Sequence, residues 1–337
     1  MSLRQLAPQE IVGLVTVVSG VGYAYLHSGF LWICAFSGRK KAGLRWWEKG
    51  IMASSVVLTV CFLYALLIEP YWLEVTHVTI ATPKISADNG DIRIVLISDL
   101  HCDKLVRLEP KLPSVIEKEH PDLILFAGDA LNQISGTDNF KGCISALTKI
   151  APTFIVEGNH DTRDFPFIKL NENTGSTLLR CAAVDVPIRR ASLHLVGTSV
   201  DYERGLPRLL KKLNPNDFNI FLYHFPSEIV SISQYPVDLM LAGHTHGGQV
   251  CVPFYGAVIT HSKTSKKYER GLYKLEDTWL YVNRGIGMDG GPTPRIRFLA
   301  RPEVTVIDIK PDAKAKGNYR PIPASVDGFK PTAAKIP

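Results

Sequence analysis

The chain has 337 residues, 46% hydrophobic and 21% charged, with 38 Lys and Arg against 32 Asp and Glu for a formal net charge of +6. That is too apolar for a disordered chain and long enough for one large domain or two ordinary ones. Six cysteines without a Cys-x-x-Cys pair exclude a disulfide scaffold, a zinc ribbon and a thioredoxin-type site, and dispersed basic residues without an RNA-binding or Cys2His2 motif argue against nucleic acid as a partner.

In chain order, the first signal is a stretch from Ile11 to Phe36 without Lys, Arg, Asp or Glu, repeated from Gly50 to Ile68. At ~1.5 Å per residue each is long enough to cross a roughly 30 Å hydrocarbon core as a helix. A buried core helix or a cleaved leader is the alternative, but the first run is long for a leader and lacks a clear Ala-x-Ala cleavage site. Arg39, Lys40, Lys41, Arg45 and Lys49 lie between the runs, opposed only by Glu48. Trp46 and Trp47 suit one membrane interface, Tyr71 and Trp72 the other. Residues 1–75 are therefore read as a membrane anchor whose basic loop is cytoplasmic, which places the chain after Glu69 outside the cytoplasm.

Short apolar runs bounded by turn residues then predict strands over Ile92–Ser98, Asp122–Ala127, Thr153–Val156, Leu193–Thr198, Asn219–Tyr223, Asp238–Leu241, Trp279–Val282 and Glu303–Ile309. Helices are predicted over Leu108–Glu119, Phe140–Lys149, Glu203–Leu213 and Pro226–Gln234. Strands alternating with helices, then a strand-rich second half, predict an α/β sandwich over residues 76–310 with helices flanking two sheets. Beyond Pro311, Pro, Lys, Ala and Gly replace apolar periodicity, so 311–337 is read as a disordered basic tail.

Polar residues of one chemical kind fall where these strands end. Ile94–Ser98 runs into Asp99-Leu100-His101, Leu123–Ala127 into Gly128-Asp129, and Phe154–Glu157 into Gly158-Asn159-His160-Asp161. Ile220–Tyr223 runs into His224, and Leu239–Ala242 into Gly243-His244-Thr245-His246. Carboxyl ends of neighbouring strands in an α/β sheet converge on one crevice. Taken singly, an Asp-x-His is equally a capped turn, Gly-Asp a common turn pair, and His224 a hydrogen-bonded core histidine. Two imidazoles at i and i+2 between glycines have little structural use. Together the set cannot be buried without a compensating cation, which a divalent metal pair supplies.

This ordered set, D-x-H, G-D, G-N-H-D, a single His and G-H-x-H, resembles the calcineurin-like metallophosphoesterases over roughly Ile92 to Ile309. The lead-in Glu69–Thr76, the stretch Tyr281-Val282-Asn283-Arg284-Gly285-Ile286-Gly287 and Arg301-Pro302-Glu303 are similar to the membrane-anchored bacterial branch, whose members include proteins assigned to UDP-2,3-diacylglucosamine hydrolysis in lipid A synthesis. The resemblance implies a four-layer α-β-β-α sandwich and an integral protein of the bacterial cytoplasmic membrane. It implies that Asp99, His101 and His246 hold one metal, that Asn159, His224 and His244 hold a second, and that Asp129 bridges them. A nitrogen and oxygen donor set without thiolate suits Mn²⁺, Fe or Zn²⁺. Two such ions activate a bridging water as the nucleophile. Cys102, beside His101, is given no catalytic role.

By the same resemblance, His160 faces the substrate and protonates the leaving oxygen. Asn132 stands where related phosphatases carry the His160-pairing Asp, and Asp161 is grouped with His160 and Asn132 as catalytic. Arg284 either reaches a phosphate or caps its own loop. Val250–Leu272, where Phe254, Tyr255, Ile259 and Tyr268 alternate with Lys263, Lys266, Lys267 and Arg270, is a candidate rim for an acylated phosphate or an ordinary solvated face. The expected substrate is a phosphorylated lipid or nucleotide-linked lipid, best UDP-2,3-diacylglucosamine cleaved to UMP and an acylated sugar phosphate. The charge rule opposes this, since a UDP-lipid precursor belongs inside; an exoplasmic phosphodiesterase or phosphatase is the alternative. A non-catalytic metal-stabilised module would be expected to lack a ligand, and the H-x-H-x-D-H pattern of lactam hydrolases is absent. Protein partners are not indicated.

Overall fold

A computed structural model describes residues 8–37, 44–260, 262, 265–290 and 295–312. Arg39, Lys40 and Lys41 lie outside the described residues, as does the tail from residue 313 for which disorder is expected.

Two long helices lead, α1 (Pro8–Phe36) and α2 (Trp46–Leu67). Hydrogen bonds from Tyr25 to Thr59 and from Ser28 to Ser55, both 2.8 Å, show that they run antiparallel. Val12, Val15, Phe30, Ile33, Val56, Val60 and Leu67 are exposed, which a soluble core helix would not allow. By length and composition Pro8–Cys34 and Trp46–Tyr71 are candidate membrane spans.

The rest is a pair of six-stranded sheets. The strands are β1 (Glu74–Thr82), β2 (Ile92–Ile97), β3 (Leu123–Phe126), β4 (Thr153–Ile155), β5 (Thr177–Leu178), β6 (Ala182–Ile188), β7 (Ala191–Gly197), β8 (Phe218–Leu222), β9 (Leu239–Ala242), β10 (Cys251–Val252), β11 (Gly256–Ala257), β12 (Gly271–Leu275), β13 (Thr278–Val282) and β14 (Glu303–Pro311). The first sheet has the order β1-β14-β2-β3-β4-β5 and the second β12-β13-β9-β8-β7-β6, while β10 and β11 form a separate hairpin. Five shorter helices complete the domain: α3 (Leu112–Glu117), α4 (Thr137–Leu147), α5 (Asn159–Arg163), α6 (Leu206–Leu210) and α7 (Ile229–Ile232).

Alternation along the strands builds the layers. In β2, Ile94 and Leu96 face the second sheet and pack with Leu195, Ile220 and Leu241. Val95 and Ile97 point the other way, onto Leu112 and Ile116 of α3 and Ile144 of α4. In the second sheet Val196, Phe221 and Met240 meet Leu206 and Leu210 of α6 and Ile229 and Ile232 of α7. The result is the α-β-β-α sandwich expected, with central strands apolar on both faces because both are covered.

Apolar runs predicted the eight interior strands, β14, β2, β3, β4, β13, β9, β8 and β7. They missed all four edges, β1, β5, β6 and β12. Edge strands border water and carry polar residues, as in the Glu-Val-Thr-His-Val-Thr of β1 and the Asp185 and Pro187 of β6. The helix predicted over Leu108–Glu119 shortens to α3, whose start Pro113 marks. Those predicted from Glu203 and Pro226 each open with one 3-10 turn before α6 and α7.

Candidate metal centre

β2, β3 and β4 are mutually parallel in one sheet, as are β8 and β9 in the other. Their carboxyl ends deliver Asp99 and His101, Asp129, Asn159, His224, and His244 and His246 to one place. The backbone there is unusual. Asp99, His101, Asp129, His244 and His246 all have positive φ, at 49°, 43°, 58°, 75° and 53°. Such conformations cost non-glycine residues about 1–3 kcal/mol each and persist only where surroundings enforce them. Here the loops hold one another: Asp99 N–H donates to Gly128 O (2.8 Å), His101 N–H to Asp129 O (3.1 Å), and His244 N–H to both Asp99 carboxylate oxygens (3.1 Å each). The β3 and β4 ends touch so closely that a Cβ on Gly128, itself at φ 94°, would lie 2.6 Å from the Gly158 nitrogen.

Three clusters result, each with ligand atoms within 4.8 Å of one another: Asp99, His101 and His246; Asp129, His224 and His244; and His101, Asp129 and His160. Hydrogen bonding decides what these clusters can bind. The 2.7 Å contact of His224 Nδ1 with Ala127 O requires a proton on that nitrogen. In the neutral ring the Nε2 lone pair then faces Asp129 Oδ2 at 3.2 Å, and Nε2 is buried without a hydrogen-bond partner. His101 repeats the pattern. Asn132 Nδ2 donates to Met288 O (2.8 Å), so its Oδ1 accepts from His101 Nδ1 (2.9 Å), leaving His101 Nε2 3.0 Å from His246 Nε2 and 3.7 Å from Asp129 Oδ2. Asn159 Oδ1 is also buried without a donor. Buried imidazole nitrogens and carboxyl and amide oxygens converging in this way fit a cation, and their nitrogen and oxygen chemistry fits a divalent metal.

Burial pushes the Asp99 carboxyl up to about 6 and the His101 imidazole down to about 4. At His224 burial works against the charged ring, but the Asp129 carboxylate outweighs it and raises the group to about 9, so a proton on Nε2 and a metal ion compete for the position between ring and carboxylate. His160 stands apart. Its side chain is 26% exposed, its Nδ1 is 2.9 Å from Asp164 Oδ2, and its Nε2 is 3.9 Å from Asp289 Oδ2. Burial disfavours its charged form, yet the carboxylates of Asp129, Asp289 and Asp164 hold its pKa above the ordinary value.

Two expectations are corrected here, and for a third one of its two alternatives is favoured. Asn132 does not pair with His160; it orients His101. Asp161 accepts from the Ala130 and Gly158 N–H groups, 2.9 Å each, clamping the β3 and β4 loops together, and burial beside Asp129 raises its carboxyl to about 7. For Arg284 the structure favours the second of its two readings, a structural role in its loop. Its Nη2 lies 2.9 Å from Glu74 and 3.1 Å from Glu303, so its charge is already matched. Asp164 and Asp289, which no motif singles out, flank His160. The i,i+4 spacing of His160 and Asp164 was a readable signal, whereas Asp289 comes from a distant loop. Cys102 is buried in the core beside α3 and α4, and burial raises its thiol well above the ordinary value.

Replacing Asp161 with Ala is expected to destabilise the protein by about 2–4 kcal/mol, because two buried N–H groups lose the carboxyl oxygens that accept from them. A shift in the urea midpoint of the purified chain checks this. A change below about 0.5 kcal/mol, within the range of ordinary surface substitutions, would show that the clamp carries no load.

Residues 92–248 match the family model for the calcineurin-like phosphoesterases. The chain is 36% identical over 262 residues to the metallophosphoesterase YkuE of Bacillus subtilis, covering 73% of this chain and 89% of that protein. It is 30% identical to the phosphodiesterase YaeI of Escherichia coli, over 76% of this chain and 96% of YaeI. It is 26% identical to the UDP-2,3-diacylglucosamine pyrophosphatase LpxG of Chlamydia muridarum, over 76% of this chain and 94% of LpxG.

Proposed function

The chain belongs to the calcineurin-like phosphoesterase family and is a phosphoester hydrolase of the kind that uses divalent metal ions; from that premise we propose how its residues divide the work and what it cleaves. Asp99, His101 and His246 would hold one ion, Asn159, His224 and His244 the other, with Asp129 between them. One observation carries this reading: with the Nδ1 proton of His224 committed to Ala127 O, its buried Nε2 is aimed at Asp129 Oδ2 at 3.2 Å, a gap that is filled by a second ring proton or by a metal ion. Its nitrogen and oxygen donors suit Mn²⁺, Fe or Zn²⁺. When bound, the ions supply Lewis-acid polarisation of the phosphoryl oxygens and a water of lowered pKa.

The chain's own groups do the rest. Asp164 on Nδ1 orients the His160 ring, and the surrounding carboxylates favour its protonated form, so Nε2–H is the proton offered to the leaving oxygen. Asp129 Oδ1 accepts from the His160 N–H at 2.9 Å, tying the position of that acid to the centre. Asn132 fixes the His101 ring as an outer-shell partner. Asn132→Ala is therefore expected to weaken metal affinity by about 10–100-fold. Metal titration by calorimetry checks this, and unchanged affinity would remove Asn132 from the centre.

The substrate we propose is a phosphorylated lipid or nucleotide-linked lipid, met by a protein integral to the bacterial cytoplasmic membrane. Two candidate spans support the lipid, and similarity to a UDP-2,3-diacylglucosamine pyrophosphatase supports a UDP-diacylglucosamine cleaved to UMP and an acylated sugar phosphate. The basic residues between the spans favour a second reading, an exoplasmic phosphodiesterase or phosphatase acting on phospholipids or other phosphate esters, in keeping with similarity to a phosphodiesterase. Detergent-solubilised full chain with Mn²⁺ is tested on UDP-diacylglucosamine, phosphatidylglycerophosphate and bis-p-nitrophenyl phosphate. UMP release supports the first reading, cleavage of the other esters alone the second, and no cleavage overturns both. Reporter fusions after Lys49 and after Ile309 locate the domain, and a cytoplasmic signal from the second favours the UDP-lipid.

A further inference from the structure

The loops that follow the His246–Gly248 turn lead directly to the membrane end of the molecule. Gln249 O accepts from Phe298 N–H (2.9 Å) and Phe298 O from Cys251 N–H (2.8 Å), so the β10–β11 hairpin and the Arg297–Ala300 loop form one unit. Both spans dock on that unit. At the start of α1, Gln9 O accepts from the Tyr255 hydroxyl (2.9 Å), and the buried Glu10 Oε1 accepts from Thr260 N–H (2.9 Å) and its hydroxyl (2.7 Å). At the end of α2, Ala65 O accepts from Arg297 N–H (3.0 Å), and the buried Glu69 carboxylate accepts from the Leu299 and Ala300 N–H groups (2.9 and 2.5 Å).

Polar contacts thus use up the inner side of the unit, while its outer tips are apolar. Phe254 is fully exposed and Leu299 is 44% exposed. Both sit at positive φ, 64° and 56°, a backbone strained for such residues, which turns each outward at a loop tip. Cations flank them: Lys266 Nζ lies 3.1 Å from the centre of the Tyr255 ring, and the Arg301 guanidinium lies 4.2 Å from that of Trp72. Of the other residues predicted to rim the site, Tyr268 is buried against the second sheet, and Lys263 lies outside the described residues.

We propose that the β10–β11 hairpin and the Arg297–Ala300 loop form a membrane-seated surface, with Phe254 and Leu299 entering the headgroup region of the bilayer that α1 and α2 cross. The occupant follows from position. The tips lie level with the first turn of one span and the last turn of the other, where aromatic and basic side chains match an interface bearing anionic lipid. The surface sets the metal centre a few residues from the bilayer, so it takes phosphates anchored in the adjoining leaflet. This rests on the membrane and phosphohydrolase readings above.

The test uses full chain with p-benzoylphenylalanine in place of Phe254, reconstituted into vesicles of phosphatidylcholine and phosphatidylglycerol and irradiated. Lipid adducts found by mass are expected there, and none with the same residue in place of the exposed Val230. Absence of adducts at position 254 overturns the surface. In parallel, Phe254→Asp with Leu299→Asp is expected to slow hydrolysis of a vesicle-embedded lipid phosphate by about tenfold, through misplacement of the centre, and to leave bis-p-nitrophenyl phosphate unaffected. An equal fall on both esters, or on neither, overturns it as well. Wild-type chain inert on both esters overturns the phosphohydrolase reading instead, while the adducts still report on the surface.

Discussion

Asp129→Ala is expected to abolish turnover and to strip bound metal from the purified chain. The carboxylate stands between the two histidine clusters, with Oδ2 3.2 Å from His224 Nε2 and 3.7 Å from His101 Nε2, and Oδ1 on the His160 N–H. Under the proposed assignment its loss would open both coordination shells at once, and metal affinity depends on the whole deprotonated donor set. Metal content by plasma emission and rate on an activated diester measure the effect. Asp129→Asn separates charge from shape, since it keeps an oxygen for the His160 N–H and should still lose metal. The same substitution should lower the His224 pKa from about 9, because Asp129 is what lifts it against burial. Near-normal metal and activity in either variant would defeat the dinuclear assignment.

The second large effect lies outside the coordination set. Arg297→Met is expected to destabilise the protein by about 3–5 kcal/mol, because buried carbonyls that it serves lose their donor at roughly 1–3 kcal/mol each. Its guanidinium is fully buried and spends its donors on carbonyls: Nη1 on Ala300 (2.8 Å), Nε on Gly287 (3.0 Å), and Nη2 on Arg284 (3.0 Å), Gly285 (3.1 Å) and Gly287 (2.5 Å). Burial lowers its pKa to about 10, so it is still charged at neutral pH. The loop it pins reaches the centre, since Ile286 N–H donates to Ser98 O (3.0 Å) and Gly287 N–H to Asp99 O (2.7 Å). Arg297→Lys keeps the charge without the fork and should recover less than half the loss. Urea midpoints of the three proteins decide it, and a Met variant within 1 kcal/mol of wild type would show the loop held by other contacts.

Some of this molecule was legible in its residues before any folding. The interior strands were, because a strand covered on both faces is apolar along its buried length, as in residues 94–97 and Leu239–Ala242. So were the strand-end Asp, Asn and His residues, since parallel strands must release their carboxyl ends on one side. The edges were not legible, because water on one flank admits Thr, His and Asp and erases the apolar run.

The partners of individual side chains were decided only by tertiary packing. Asn132 went to His101 because the Met288 carbonyl takes its amide N–H and turns its oxygen toward that ring. Arg284 was claimed by Glu74 and Glu303, which arrive on two neighbouring strands from opposite ends of the domain sequence. Periodicity records whether a residue is buried, since that depends on its own strand or helix. Which carboxylate meets which imidazole depends on loops held at positive φ by contacts between distant segments, and no local pattern encodes those.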